Sequence, residues 1–462
     1  MLALLSNYLG SIARFPFGTA FGRVLVIPLL FAAAYFLVAL FSYYRGTYDP
    51  PSTADIQFEA ITTPLSAHTI FTEQPKVRSG LLVIDGAHDN DFSQREVVSL
   101  LSSLANRGIT VDFMGEPSIF GGFRRVNESD RFAMLEGKLR QAGSLVVIAP
   151  NEPYTKEERG LVRRFVNKGG RLLLIGDPTR SQQINTLSEE FGLSFQPGFL
   201  YNQVDYDLNH RNIFVRDFFP DPVTEGLAEV AFYTAGAIRS AGPALAYTDA
   251  NTLSTVVEGV EPFYPLVKAN QDNVLAVGDL TFMVQPQNSI LDNNRLIANI
   301  AEFLASSDRG FELSDFPYMF DGAADIVLGR ASLLELGAGL RRTLSKFQID
   351  AEVRNSESPE KDLIFLGLYD DAVQVERYLN LAGIQVGETV RTPFTPDLDP
   401  QGSAIISLQA QDGRHIFIVL ADTLDRLADA TDRLDSGEFR DVIVSDSLGI
   451  IVIPDAGSKD DE

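Results

Sequence analysis

Apolar, uncharged residues run without interruption from Val24 to Tyr44 (VLVIPLLFAAAYFLVALFSYY). At a rise of ~1.5 Å per residue, a helix of that length matches the ~30 Å hydrocarbon core of a bilayer. The pattern then changes. Residues 45–78 are rich in Pro, Thr and Ser with no helical period, which predicts a stalk. From Gly80 short apolar runs alternate with amphipathic stretches. LLVID (81–85) reads as a strand buried on both faces, ITVDFM (109–114), SLVVIAP (144–150) and RLLLIGD (171–177) as further strands, and NVLAVGD (273–279) as a buried one. Between them, 93–106, 129–141 and a segment opening at Thr155 carry apolar residues at helical spacing. Thr155 and Glu158 form a capping box. Residues 293–305 close this part as a helix. Repeated β–α–β units of this length require parallel strands with helices on both faces.

Residues 306–324 read as a linker, and 325–455 as a smaller α/β domain. Its strands are predicted at IVLG, DLIFLGLY, SAIISLQ, HIFIVLA and DVIVSDSLGIIVI, and its helices at 331–346, 372–382 and 423–434. Residues 456–462 form an acidic tail. The expected class is therefore α/β: an N-terminal transmembrane helix at 24–44, a parallel-sheet domain at 79–305 and a smaller C-terminal α/β domain.

Charge orients this layout. Arg14 and Arg23 precede the apolar run, Arg45 follows it, and no acid occurs before Asp49. The positive-inside rule places residues 1–23 in the cytoplasm or along its membrane surface, and the C-terminal domains outside. A cleaved signal peptide is the rival reading. The run is long for a signal h-region, and SYYRGTYDPP offers no A-x-A cleavage site. Residues 1–48 carry +3, so the rest of the chain carries −27 of the net −24. Such acidity argues against nucleic acid as a partner. The expected partners are the lipid bilayer, through residues 24–44, and other membrane proteins. The chain has no cysteine, which excludes disulfides, thiolate nucleophiles and thiolate metal sites.

Four stretches carry a resemblance: LLVIDGAHDNDFSQREVVSLLSSLANRGITVDF, LVVIAPNEPYTKEERGLVRRFVNKGGRLLLIGDP, DPVTEGLAEVAFY and VLAVGDLTFMVQPQNSILDNNRLIANIAEFL. With them, residues 80–305 resemble an uncharacterised bacterial and archaeal membrane-protein family with a glutamine-amidotransferase-like, flavodoxin-like domain. Its relatives include auxiliary proteins of gliding-motility-type ABC transporters. The resemblance implies a fold and a membrane setting but no reaction. In true amidotransferases a cysteine occupies the sharp turn after the third strand. Here that turn carries Asn151 and Glu152.

Ligands of open α/β sheets bind beyond the carboxyl ends of the strands. Asp85, His88, Asp89 and Asn90 follow the first strand, Asn151 and Glu152 the third, Asp177 the fourth and Asp279 the late one. Such carboxylates could hold Mg²⁺ or Ca²⁺, or set one another's pKa for acid–base work. They could equally be turn and cap residues accepting backbone N–H groups. His88 has no second histidine beside it, which weakens a metal reading. Gly121, Gly122, Arg124 and Arg125 fit neither a Walker loop nor a dinucleotide fingerprint. Arg159, Arg163, Arg164 and Lys168 read as the solvated face of a helix.

Three functional readings follow. The first is a membrane-anchored, non-catalytic binding or scaffold protein, an accessory subunit of an ABC-transporter-type assembly, with no cofactor. The second is a metal-dependent hydrolase using the strand-end carboxylates. The third is a sensor of a small ligand or cation.

Overall fold

The computed structural model describes residues 20–43, 71–118, 122–259, 262–320 and 322–452. Arg14, Tyr44, Arg45, Gly121, most of the expected stalk and the acidic tail lie outside them. The chain divides into two units, 1–63 and 64–462.

In the first unit, helix α1 spans Ala20–Tyr43 and contains Pro28. Its segment Val26–Tyr43 has a mean hydropathy of 2.1 and none of it is buried. This helix is long and apolar enough to cross a membrane. Pro28 falls in the third turn, where its missing N–H leaves one i→i−4 bond of the helix unmade.

The second unit is mixed α/β, built on two sheets. The first sheet takes β1 (Leu81–Asp85), β2 (Thr110–Met114), β3 (Ser144–Ile148), β4 (Arg171–Ile175), β5 (Asp217–Phe218), β6 (Ala244–Tyr247), β7 (Leu266–Lys268) and β8 (Val274–Val277). They lie in the order β2-β1-β3-β4-β8-β7-β6-β5. The five strands from β2 to β8 are mutually parallel; β7, β6 and β5 are joined to them antiparallel.

Both faces are covered, as the continuous apolar runs require. Leu82 and Ile84 pack with helix α2 (Val98–Asn106) and helix α6 (Asn293–Ala305). Val83, between them, points the other way, into helices α3 (Glu128–Leu139) and α4 (Lys156–Asn167). Alternation along one strand thus splits the core into two layers. The predicted capping box opens α4: Thr155 Oγ1 accepts from Glu158 N at 3.2 Å, and Glu158 Oε2 accepts from Thr155 N at 2.8 Å. A short helix α5 (Asn185–Ser188) and several two-stranded ribbons fill the stretch that sequence leaves irregular.

The second sheet contains β9 (Ala323–Leu328), β10 (Asp350–Arg354), β11 (Asp362–Leu368), β12 (Ser403–Gln411), β13 (Arg414–Ala421), β14 (Ile443–Ser445) and β15 (Leu448–Val452). Their order is β10-β9-β11-β13-β12-β15-β14, parallel from β10 to β13 and antiparallel beyond. Helices α7 (Leu334–Lys346) and α9 (Leu424–Ser436) pack on one face and α8 (Glu376–Leu381) on the other. The 372–382 segment, expected as one helix, begins as a 3-10 stretch that becomes α-helical only at Glu376. The connecting stretch 306–324 buries Leu313, Phe316, Met319 and Phe320 in the core of the second sheet.

Candidate functional site

The chain leaves β1 to form β2 on one side and returns to form β3 on the other. A crevice therefore opens at the carboxyl ends of β1 and β3. Asp85 ends β1 and is fully buried. Its Oδ1 accepts the Ala87 N–H at 3.0 Å. Its Oδ2 contacts His88 Nδ1 at 2.9 Å, Tyr154 Oη at 2.6 Å and Asn90 Nδ2 at 3.3 Å. Asn90 also donates to Ile148 O at 2.8 Å, and its Oδ1 accepts the His88 N–H. A four-residue turn is thereby laced to the end of β3.

The His88 ring is fully buried and stacks on Tyr154, with centroids 3.8 Å apart and planes inclined by 13°. Its Nε2 faces Glu158 Oε2 at 3.4 Å, a longer contact than the one to Asp85. Glu158 is itself fully buried at the start of α4, and its Oε1 receives Arg131 Nε at 3.2 Å. Arg131, buried on α3, also pairs with Glu152, whose other oxygen meets Arg125 at 2.6 Å. The result is a chain of alternating charge: Asp85, His88, Glu158, Arg131, Glu152, Arg125.

The charges sustain one another. Burial pulls the His88 pKa down, but the charge and hydrogen bond of Asp85, joined by Glu158, outweigh it and raise it to about 9. Burial pushes Glu158 up, yet the neighbouring His88, the Thr155 N–H and Arg131 bring it down to about 2. Asp85 is likewise held below the usual carboxylate range: burial raises it and the His88 charge, with three hydrogen bonds, overcomes that. Burial and the Asp85 charge drive the Tyr154 phenol well above its ordinary value. The two flanking carboxylates thus favour the imidazolium form of His88.

Asp177 and Asp279 form a second group, at the ends of the neighbouring strands β4 and β8. Asp177 Oδ1 accepts from Thr179 N and Oγ1, and its Oδ2 lies 3.5 Å from Arg180 Nε. Asp279 is fully buried and accepts the Tyr233 and Thr281 N–H groups, both at 2.7 Å. Burial and the Asp177 charge raise its pKa to about 8, against those backbone bonds. Asp177 and Asp279 have no contact with Asp85 or His88.

Between the groups lies an open cleft of about 530 Å³, lined in part by Asp89, Asn90, Glu96, Asn151 and Arg180. Asn151 Nδ2 donates to Asp89 Oδ2 at 3.0 Å. Asn151 and Glu152 also give their backbone N–H groups to His88 O. Among the described residues, no group of three His, Asp or Glu side chains is arranged to hold a metal ion.

The sharp turn after β3 is made two residues earlier than the sequence suggests. Ala149 takes the left-handed conformation, with φ +37°, and is fully buried. Its N–H donates to Ile175 O, and its carbonyl accepts the Asp91 N–H. Tyr154, Glu158 and Arg131 complete the cluster and were not singled out as site residues. The capping box marks Glu158, but only as a helix-start residue.

No family model and no curated protein matches the chain. Solved structures give distant, heterogeneous likenesses. The N-terminal domain of mmIFT52 is 13% identical, with 50% of this chain and 100% of that one covered and a TM-score of 0.38. A ThuA-like protein from Parabacteroides merdae is 13% identical over 52% of this chain and 94% of its own, with a TM-score of 0.33. An exo-beta-1,4-mannosidase from Opitutaceae bacterium strain TAV5 is 10% identical, covering 50% and 37%, with a TM-score of 0.26.

Proposed function

We propose that this chain is a membrane-anchored, non-catalytic binding or scaffold protein, an accessory subunit of a transporter-type membrane assembly. Helix α1 holds it in the bilayer, the N-terminus faces the cytoplasm and the two α/β sheets face outward. The first sheet is read as a flavodoxin-like, glutamine-amidotransferase-like domain. Its parallel strand order β2-β1-β3-β4-β8, with helices on both faces, supports that reading.

The observation that carries the non-catalytic part is the closed state of the β1-end cluster. Asp85, His88 and Glu158 are all fully buried, and each faces an opposite charge within the protein. A general acid or base must reach a substrate proton, and a nucleophile must reach a substrate atom. The left-handed residue after β3, where a strained turn would present a nucleophile, carries only the Ala149 methyl group. The cluster instead ties the β1 loop, α3 and the start of α4 together. This rigid frame leaves Asn90, Asn151 and Arg180 lining the adjoining cleft as the binding face.

The hydrolase reading requires Asp85, His88, Glu152 and Asp177 to converge. Asp85 and His88 meet, the Glu152 carboxylate is joined to their side chains through Arg131 and Glu158, and Asp177 belongs to the second group. The test is co-purification of the full chain from membranes in mild detergent. Recovery with a second membrane protein in fixed ratio is expected. Recovery of the chain alone, as a 50.7 kDa monomer, would contradict the proposal.

A further inference from the structure

The seam between the two sheets holds a cavity of about 420 Å³ with an unusual lining for so acidic a protein. Five cationic side chains reach it: Arg140, Arg164, Lys168, Arg309 and Arg440. Only three carboxylates accompany them, Glu136, Glu312 and Asp315. Lys168 lies 3.0 Å from Glu312 and also pairs with Asp446. Arg309 lies 2.7 Å from Asp315, and Arg140 lies 3.3 Å from Glu136. Among the described residues, no carboxylate lies within 4.0 Å of the Arg164 or Arg440 guanidinium, whereas the other three cations are all paired.

Part of this charge has a structural use. Helices α3 and α4 both end here, and helix C-termini attract cations. Arg309 donates to the carbonyls of Arg140 and Ala142, just past α3. Arg440 donates to Ser314, Phe316 and Gly437 carbonyls. Those bonds fix the guanidinium in place without cancelling its charge. Burial and the Arg140 charge lower the Arg440 pKa, against the charges of Glu136, Tyr318 and Asp315, which raise it. Among the described residues, the Arg164 guanidinium has no such structural bond. Leu139, Leu161 and Phe165 form an apolar wall beside the charges.

We infer that this cavity binds a small organic phosphate ester, its phosphoryl group between Arg140, Arg164 and Arg440 and its body against the apolar wall. Planar guanidinium groups match phosphoryl oxygens in pairs. The phosphate would give Arg164 and Arg440 the anionic partner that neither finds within 4.0 Å among the described residues. The net negative charge of the rest of the chain is screened beyond ~8–10 Å at ordinary ionic strength. Because elements of both sheets line the cavity, occupancy would also stiffen their junction. This inference does not depend on the β1-end cluster or on the membrane assembly.

The probe is glycerol 3-phosphate, titrated calorimetrically into the full chain in phosphatidylcholine nanodiscs at constant ionic strength. Saturable binding is expected, weakened about tenfold or more by Arg164→Gln and again by Arg140→Gln. Arg163→Gln, the exposed neighbour that pairs with Glu190, should bind like the parent chain. A second arm replaces the soluble ester with nanodiscs containing phosphatidic acid. Thermal stabilisation there that Arg164→Gln abolishes, with no binding of the soluble ester, would assign the phosphoryl group to a lipid and overturn the small-molecule proposal. No saturable binding in either arm, or equal binding by Arg164→Gln and Arg163→Gln, would overturn the site itself. Arg164 is exposed and free of structural bonds, so its variant tests binding without unfolding the protein.

Discussion

His88 Nδ1 lies 2.9 Å from Asp85 Oδ2 with both side chains wholly removed from solvent, and Glu158 approaches the ring from its other nitrogen. Removing the cation leaves two buried carboxylates with one partner fewer. Breaking a buried pair in this way costs about 3–5 kcal/mol. His88→Gln is therefore expected to destabilise strongly. Tyr154→Phe loses one hydrogen bond to Asp85 and keeps the ring stack, for about 1–2 kcal/mol. Glu157→Gln, on the exposed side of the same helix, should stay within about 0.5 kcal/mol. Urea denaturation of the three variants checks this ranking.

Stability should fall as pH rises from 6 to 9.5. The His88 pKa is raised from 6.5 to about 9, so its contribution is complete below 6.5 and is lost as pH rises through 9. The pKa of Asp279 is raised from 3.8 to about 8, so the folded state holds a proton there that the unfolded chain releases, and stability declines from about pH 4 to 8. On the acid side Glu158, lowered from 4.5 to about 2, gives a contribution that is lost as pH falls through that range. Thermal melts at pH 6 and 9.5 measure the alkaline loss. It should be smaller in His88→Gln, which keeps only the Asp279 part.

Divalent cations should not bind at the β1 end. Both Asp85 oxygens are already engaged and solvent does not reach them. Titration of the full chain with Mg²⁺, Ca²⁺, Mn²⁺ and Zn²⁺ is expected to show no binding that Asp85→Asn removes. Tight binding abolished by that change would bring the metal-dependent hydrolase reading forward.

The central parallel strands β1, β3, β4, β8, β9 and β11 were legible because they are largely buried and read as apolar runs; β5 and β7, two and three residues long, were not. β10 was not, since its sequence DAEVR alternates charge with small residues at a sheet edge. Asp85, His88 and Asn90 were legible as a group because they follow one strand within six residues. Their partners were not. Tyr154 and Glu158 arrive from the β3–α4 turn and Arg131 from α3, and no local pattern states which helix start comes to rest against the β1 loop. A capping box also gives Glu158 a sufficient local role, which conceals its second one. Ala149 was missed because an alanine with positive φ has no sequence signal; the conformation is imposed by the bonds on either side of it.

The absence of native cysteine makes topology directly measurable. In intact cells Ser458→Cys should react with a membrane-impermeant maleimide, whereas Ser6→Cys should react only after permeabilisation. The reverse labelling would place the sheets in the cytoplasm and remove the exported reading.

The most direct test of the closed cluster is the protonation state of His88, followed by nitrogen NMR of histidine-labelled full chain. With four histidines in the sequence, His88→Gln assigns the resonance. A doubly protonated ring at pH 7, titrating near 9, is the predicted result. A neutral ring at pH 7, titrating below 6.5, would contradict the ion-pair network and reopen His88 as an acid–base group.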